Sequence, residues 1–259
     1  MNSSPTPYSE VNDLLRHLLI EAQAILQDQF IGMYLYGSLS SGDFDPDSSD
    51  IDFVIVTRDL LSAEAIDQLE AMHQQAWAAS DKRAGKLEGA YLPQGLIRRH
   101  DPHGPACPTI NEGKFYLDSP GSDWIIQRHV IREYGVVIDG PDPKTLIDFV
   151  SPEDIREAVR GVLREWWFPM LDNPAWLRDN SRGYHSYAIL SMCRVLHALE
   201  HGTIASKPVA AHWAQEKLGG KWIHLIDLAL LARKPVPDEF DLLAPAIELI
   251  QHVKDTVTV

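Results

Sequence analysis

The sequence predicts an α+β protein in two parts. Residues 1–150 read as a domain with a small mixed sheet and helices, and residues 151–259 as an all-helical bundle. Three observations predict this. Up to Val150, short β-branched and aromatic runs alternate with stretches of helical periodicity. At Ser151-Pro152-Glu153-Asp154 a capping hydroxyl, a proline at the first helical position and two first-turn acids follow one another. Beyond that point only helical spacing recurs.

The elements follow in order. Val11, Leu14, Leu15, Leu18, Leu19, Ala22 and Ile25 are spaced for one face of a helix over 8–27, with Ser9 as its N-cap. Residues 30–36, FIGMYLY, read as a strand. The polar loop GSLSSGDFDPDSSD follows, and IDFVIVT over 51–57 is a second strand. A helix is expected over 59–79, started by Asp59 or Ser62, then a short strand over 86–92. Residues 93–121, rich in Pro, Gly, His and Asp, read as loop or weak hairpin with a strand at 114–117. A helix over 124–134 and a strand over 136–138 lead to the turn Gly140-Pro141-Asp142-Pro143. In the second part helices are expected over 152–168, 184–201, 207–218, 221–232 and 239–257, with Ser206-Lys207-Pro208 as a further start signal.

Charge narrows the function. The 259 residues carry 23 Lys and Arg against 37 Asp and Glu, a net −14. That balance argues against a nucleic-acid binder, which needs a basic footprint, and it permits a cationic small-molecule partner. The excess is uneven, with net −12 over residues 1–150 and −2 over 151–259. Two distant cysteines, Cys107 and Cys193, form neither a disulfide framework nor a zinc motif. The opening MNSSPTPYSE lacks a basic and then apolar leader pattern, and no apolar run approaches the ~18 residues of a membrane helix. A cytoplasmic protein, monomeric or a small homo-oligomer, is expected.

The loop after the first strand concentrates the chemistry. It holds Asp43, Asp45, Asp47, Asp50 and Asp52 within ten positions. An EF-hand would need Gly at its sixth position and Glu at its twelfth, where Ser48 and Val54 stand. A second pattern fits better. Alternation along the strand puts the carboxylates of Asp50 and Asp52 on one face, where they repel unless a divalent cation lies between them. Upstream, Gly37 allows close backbone approach to a phosphate, and Ser38 adds a hydroxyl and an N–H. A phosphate-holding turn joined to a metal-binding carboxylate pair is what metal-assisted phosphoryl or nucleotidyl transfer requires.

Leu35-Tyr36-Gly37-Ser38 followed by Asp50-Ile51-Asp52-Phe53 resembles the signature of the polymerase-β-like nucleotidyltransferases. Ser191-Met192-Cys193-Arg194 and, thirteen residues on, Lys207 in SKPVAAHWAQEKL resemble the C-terminal helical domain of the streptomycin/spectinomycin adenylyltransferases. The resemblance implies a nucleotidyltransferase domain over 1–150 and a helical domain over 151–259. It implies an Mg²⁺-dependent enzyme, with two ions expected, that transfers AMP from ATP to a hydroxyl of a small acceptor such as streptomycin or spectinomycin. Asp50 and Asp52 would hold the metal. Gly37, Ser38 and Ser49 would position phosphates, and Arg194 and Lys207 would neutralise the triphosphate. Glu88, the acid at the place of the family's third carboxylate, would bind metal, accept the acceptor's proton, or both. The site is expected between the two domains. A different acceptor, small molecule or protein as in toxin–antitoxin pairs, and a catalytically silent binding module remain as alternatives.

The chain departs from the family's pattern at two places. Tyr184 stands where an acid is expected ten residues before Arg194, with Asp172 and Asp179 nearby. No aromatic residue marks the expected adenine-stacking position, near which Arg233-Lys234 falls. His100 and His103 lack a spaced third metal ligand and are read as loop residues, and Trp166, Trp167, Phe168 and Trp176 as a helix-face core.

Overall fold

The computed structural model describes residues 4–78, 84–180, 182–231 and 241–257. The expected helix ends at Ala79 and Ala232, the start of the last helix at 239–240, Ser181, and Arg233-Lys234 lie outside these residues. The chain divides into two compact units, 1–149 and 150–259.

The first unit opens with α1 (Ser9–Leu26). Tyr8, not Ser9, occupies the cap position, without a side-chain capping bond. A Thr6–Asn12 network ties down the entry instead: the Thr6 amide donates to Asn12 Oδ1 at 3.1 Å, and Asn12 Nδ2 donates to the Thr6 carbonyl at 2.8 Å. Then come β1 (Phe30–Leu35), α2 (Gly37–Ser41), β2 (Ile51–Thr57) and α3 (Ala63–Ala78). The Ser62 hydroxyl accepts the Ala65 amide at 3.2 Å, so the second of the two proposed starts of α3 is the one used. The rest of the unit is β3 (Leu87–Pro93), α4 (Gln94–Arg98), β4 (Cys107–Asn111), β5 (Lys114–Asp118), α5 (Asp123–Tyr134), β6 (Val136–Asp139) and α6 (Pro143–Leu146).

The six strands form one sheet in the order β5-β4-β3-β2-β1-β6. Only β2 and β3 pair in parallel, which is why α3 carries the chain between them. The segment expected as loop or weak hairpin contains a full one, β4–β5, with Glu112 and Gly113 at positive φ in its turn. Its first strand was hidden because Cys107-Pro108 carries no strand signal; β3 pairs with Thr109 and Ile110, and β5 with the whole strand.

One face of the sheet packs on α1 and α3. Leu15, Leu18 and Ala22 join Met33, Leu35, Ile51, Phe53, Ile55, Leu69, Leu87 and Tyr91 in a continuous core. The other face is covered as well, since Tyr34, Val54, Val56, Ala90 and Leu92 are all buried. Strands covered on both sides leave little room for polar groups, and this makes the exceptions informative.

Among its described residues the second unit contains helices and no strand. It begins with α7 (Pro152–Val162), whose predicted start is realised as a capping box between Ser151 and Asp154. The expected single helix to 168 ends early. A π-type turn at Leu163–Trp167 closes with the Phe168 amide on the Leu163 carbonyl at 2.9 Å, because Pro169 has no N–H to continue the ladder. Two short helices that the periodicity did not show follow, α8 (Pro169–Asp172) and α9 (Ala175–Asp179). Then come α10 (Arg182–His201), α11 (Lys207–Leu218), α12 (Lys221–Leu231) and α13 (Leu243–Thr256). The 20-residue α10 is the hub, packed on α7, α11, α12 and α13 through Ile189, Met192, Cys193 and Ala198. Trp167 is buried in this unit, whereas Trp166 is 45% exposed and lies edge-on to Trp176 at 5.2 Å.

Candidate active site

In β2 and in β3 every residue but one is buried, and the exception in each strand is the second residue, Asp52 and Glu88. The parallel register pairs these two directly. Adjacent strands lie about 4.8 Å apart, so two carboxylates stand side by side on a face where everything further along is apolar. Tyr36, just past β1, donates its amide to the Asp52 carbonyl at 3.1 Å and extends the row by one strand. A row of Tyr36, Asp52 and Glu88 thus crosses the middle of the sheet.

The glycines of this region are dictated by contact. Gly37 has φ +61°, and a Cβ there would meet Asp52 Oδ2 at 2.0 Å. The Asp52 carboxylate therefore lies directly against the Gly37 backbone, which brings the Gly-Ser turn and the acid motif together. After Glu88, a Cβ on Gly89 would sit 2.1 Å from the Phe53 carbonyl oxygen. Only glycine lets β2 and β3 approach closely here.

Ser38 lies within α2, a short helix where loop was expected, and is half-buried. From Gly42, at φ +78°, the chain enters the acidic loop. The Phe44 ring is buried against Tyr8 at 4.9 Å between centroids, and the Tyr8 hydroxyl donates to the Phe44 carbonyl at 3.1 Å. Ser49 is buried and serves the loop itself: its hydroxyl accepts the Asp45 amide at 3.0 Å, and its amide donates to the Asp45 carbonyl at 2.8 Å. Asp47 donates its amide to Asp45 Oδ1 at 2.9 Å. This leaves Asp50 exposed at the entrance to β2.

Beside Glu88 is a cavity of about 250 Å³ whose wall includes Tyr36, Asn111, Tyr116, Asp123 and Trp124. Burial, and then the charges of Asp52, Glu88 and Asp123, push the Tyr36 phenol well above its usual range, so it is a neutral hydrogen-bonding group. Trp124 meets Tyr36 edge-on at 6.3 Å. The sequence had singled out none of Asn111, Tyr116 and Asp123. Asp123 reads locally as an ordinary first-turn acid of α5, and only the packing of that helix brings its charge to Tyr36.

Among the described residues no three His, Cys, Asp or Glu side chains are grouped to hold a metal ion by themselves. Mg²⁺ does not need such a cage. It is held through one or two carboxylates together with substrate phosphates and water. Asp50 and Asp52, with the Gly37 backbone pressed on Asp52, suit that mode of binding. His103 is exposed, with its amide on Asp101 Oδ1 at 2.9 Å, as a loop residue would be.

In the second unit, Arg194 reaches the α10–α11 connection and Lys207 begins α11. Arg194 Nε donates to the Ala205 carbonyl at 3.2 Å, two residues before Lys207. The Lys207 ammonium lies 5.2 Å from the centre of the Tyr187 ring. Between them, Ser206 caps α11 by its backbone only; its hydroxyl oxygen is buried and has no partner, so the cap expected there is made without the side chain. Tyr184, at the position of the missing acid, packs edge-on against Trp176 at 5.1 Å.

The carboxylate row, with Gly37-Ser38 against it, is the arrangement expected of a nucleotidyltransferase. A family model described as a nucleotidyltransferase domain matches residues 20–86, which include Gly37, Ser38, Asp50 and Asp52. A second, described as the C-terminal domain of aminoglycoside adenylyltransferase, matches residues 145–254, which include Arg194 and Lys207. The chain thus carries a nucleotidyltransferase domain followed by a C-terminal domain of the aminoglycoside adenylyltransferase kind. An aminoglycoside (3'') (9) adenylyltransferase of Shigella flexneri is 26% identical, with 96% of each chain covered. A spectinomycin 9-adenylyltransferase of Campylobacter jejuni is 25% identical, with 91% of each covered. The fold is similar to the crystal structure of spectinomycin adenyltransferase AAD(9) from Enterococcus faecialis with ATP and spectinomycin. That match has a TM-score of 0.70 at 19% identity and covers 92% of this chain and 98% of that one.

Proposed function

We propose that this enzyme transfers AMP from ATP to a hydroxyl of a small cationic acceptor of the aminoglycoside class, such as streptomycin or spectinomycin, in the cytoplasm. The observation that carries this reading is the pairing of Asp52 with Glu88 in otherwise buried strands, with Gly37 against Asp52. Residues 1–150 act as the nucleotidyltransferase domain and residues 151–259 as the helical domain, in a monomer or small homo-oligomer.

Asp50 and Asp52 hold Mg²⁺, two ions in the full complex, with Glu88 as a further ligand, as the proton acceptor, or as both. The metal, when bound, offsets charge on the phosphates. The Gly37-Ser38 turn receives a phosphate, and Ser49 shapes the loop that presents Asp50. Arg194 and Lys207 neutralise the triphosphate. Glu88 takes the proton from the acceptor hydroxyl as its oxygen attacks the α-phosphorus and pyrophosphate leaves. Cationic groups of the acceptor are drawn to the cavity beside Glu88, where Asp123 adds negative charge and Tyr116 and Trp124 add ring surface.

The test is pyrophosphate release from Mg·ATP with and without streptomycin or spectinomycin, with mass detection of the AMP-bearing product. Release that depends on either drug is expected. ATP binding with release from neither drug would replace the aminoglycoside by another small molecule or a protein. The aromatic packing of Tyr184, in place of an acid, is the observation that favours that second reading. No ATP binding at all would leave a silent module.

A further inference from the structure

Lys86 stands one residue before β3 and two before Glu88, and it has no place in the chemistry above. Its ammonium donates to the Pro46 carbonyl at 3.0 Å and to the Asp47 carbonyl at 2.7 Å. Between those carbonyls and β2 lie only Ser48, Ser49 and Asp50. One side chain therefore ties the strand of Glu88 to the loop that delivers Asp50.

The choice of acceptors matters. A lysine that served only as surface charge would pair with an acid or extend into water, and acids are abundant in this loop. Carbonyl acceptors fix the course of the backbone itself. Tyr8 does the same at the other end of the loop through the Phe44 carbonyl. The loop thus has two pins, one from α1's leading edge and one from the start of β3. Five aspartates in ten positions repel one another, and the Lys86 ammonium is a positive charge set into that repulsion.

We propose that Lys86 is a positioning residue: by holding the 46–47 backbone it presets Asp50 beside Asp52 for the divalent cation that accompanies ATP. This rests on the metal role given above to Asp50 and Asp52. Groups that orient metal ligands are worth about 10- to 100-fold in metal affinity. Lys86→Met should therefore weaken Mn²⁺ binding, read by electron paramagnetic resonance with a non-hydrolysable ATP analogue present, by about tenfold. Hydrogen exchange over residues 42–50 should accelerate in the metal-free protein, and the rate at saturating metal should stay near that of the parent. Lys86→Arg, which keeps a cationic donor, should recover most of the affinity.

Unchanged Mn²⁺ affinity in Lys86→Met overturns the proposal, and so does a general loss of thermal stability with affinity unaltered. Asp52→Asn separates the two ideas. If it binds Mn²⁺ as the parent does, the metal assignment fails and the proposal falls with it. If it loses Mn²⁺ while Lys86→Met does not, the role of Lys86 alone fails.

Discussion

Replacing Gly37 by alanine places a single methyl group between the two halves of the site. The new Cβ would lie 2.0 Å from Asp52 Oδ2, 2.6 Å from Cγ and 3.1 Å from Cβ of the same residue. Ordinary contact begins near 3.4 Å, so the carboxylate oxygen must retreat by about 1.4 Å or the turn must move by as much. A displacement of ~1 Å costs about 100-fold in a reaction that depends on placement. The backbone adds its own term. At φ +61° a non-glycine residue is strained by roughly 1–2 kcal/mol. Gly37→Ala is therefore expected to lower kcat by about 100-fold at saturating Mg·ATP while destabilising the fold by only about 1–2 kcal/mol. Pyrophosphate release measures the first quantity and chemical denaturation the second. A folded variant with kcat within threefold of the parent would refute the contact between the Gly-Ser turn and Asp52 as a determinant of the chemistry.

Three other outcomes are expected. Glu88→Gln removes the base while keeping the shape of the side chain. It should reduce kcat by about 10²- to 10⁴-fold, read by pyrophosphate release at saturating Mg·ATP and acceptor; a kcat within threefold of the parent would remove Glu88 from the chemistry. His73, buried with Nε2 3.0 Å from the Tyr91 hydroxyl, has its pKa lowered by burial to about 4. Its neutral form belongs to the native state, so the stability it contributes is intact above pH 6.5 and is lost as pH falls toward 4, by about 3 kcal/mol in all. In His73→Gln this part of the pH dependence should vanish from denaturant titrations; an unchanged slope between pH 6.5 and 4 would count against it. Ser151→Ala removes the capping box of α7 and should cost about 1 kcal/mol by denaturation, without effect on ATP binding.

How far each feature could be read in advance depended on the range of the interaction behind it. The start of α7 was visible because Ser151, Pro152 and Asp154 act on one another within a single helical turn. Asp52 was legible because alternation along a strand is local, with Asp50 just before the strand begins; Gly37-Ser38 reads as loop, and the folded chain starts α2 there. The ends of helices interrupted by proline were harder. Pro169 breaks the long helix expected to 168 into a π turn and α8, while the apolar periodicity runs on through it. The strand β4 was hidden because only Thr109 and Ile110 in it favour a strand, set between Pro108 and Asn111, and its hydrogen bonds come from β3 and β5.

From residue order alone came the two-part α+β plan, the acid-rich loop and the pairs of residues that share a strand face. These follow from φ/ψ preference and periodicity, which act over a few residues. The folded chain settled which distant groups meet: Glu88 beside Asp52 through parallel register, Asp123 near Tyr36 through the packing of α5, and Lys86 on the carbonyls of Pro46 and Asp47. Strand register and helix docking are decided by burying one common core. No short window of sequence contains the information on which side chains that core brings into contact.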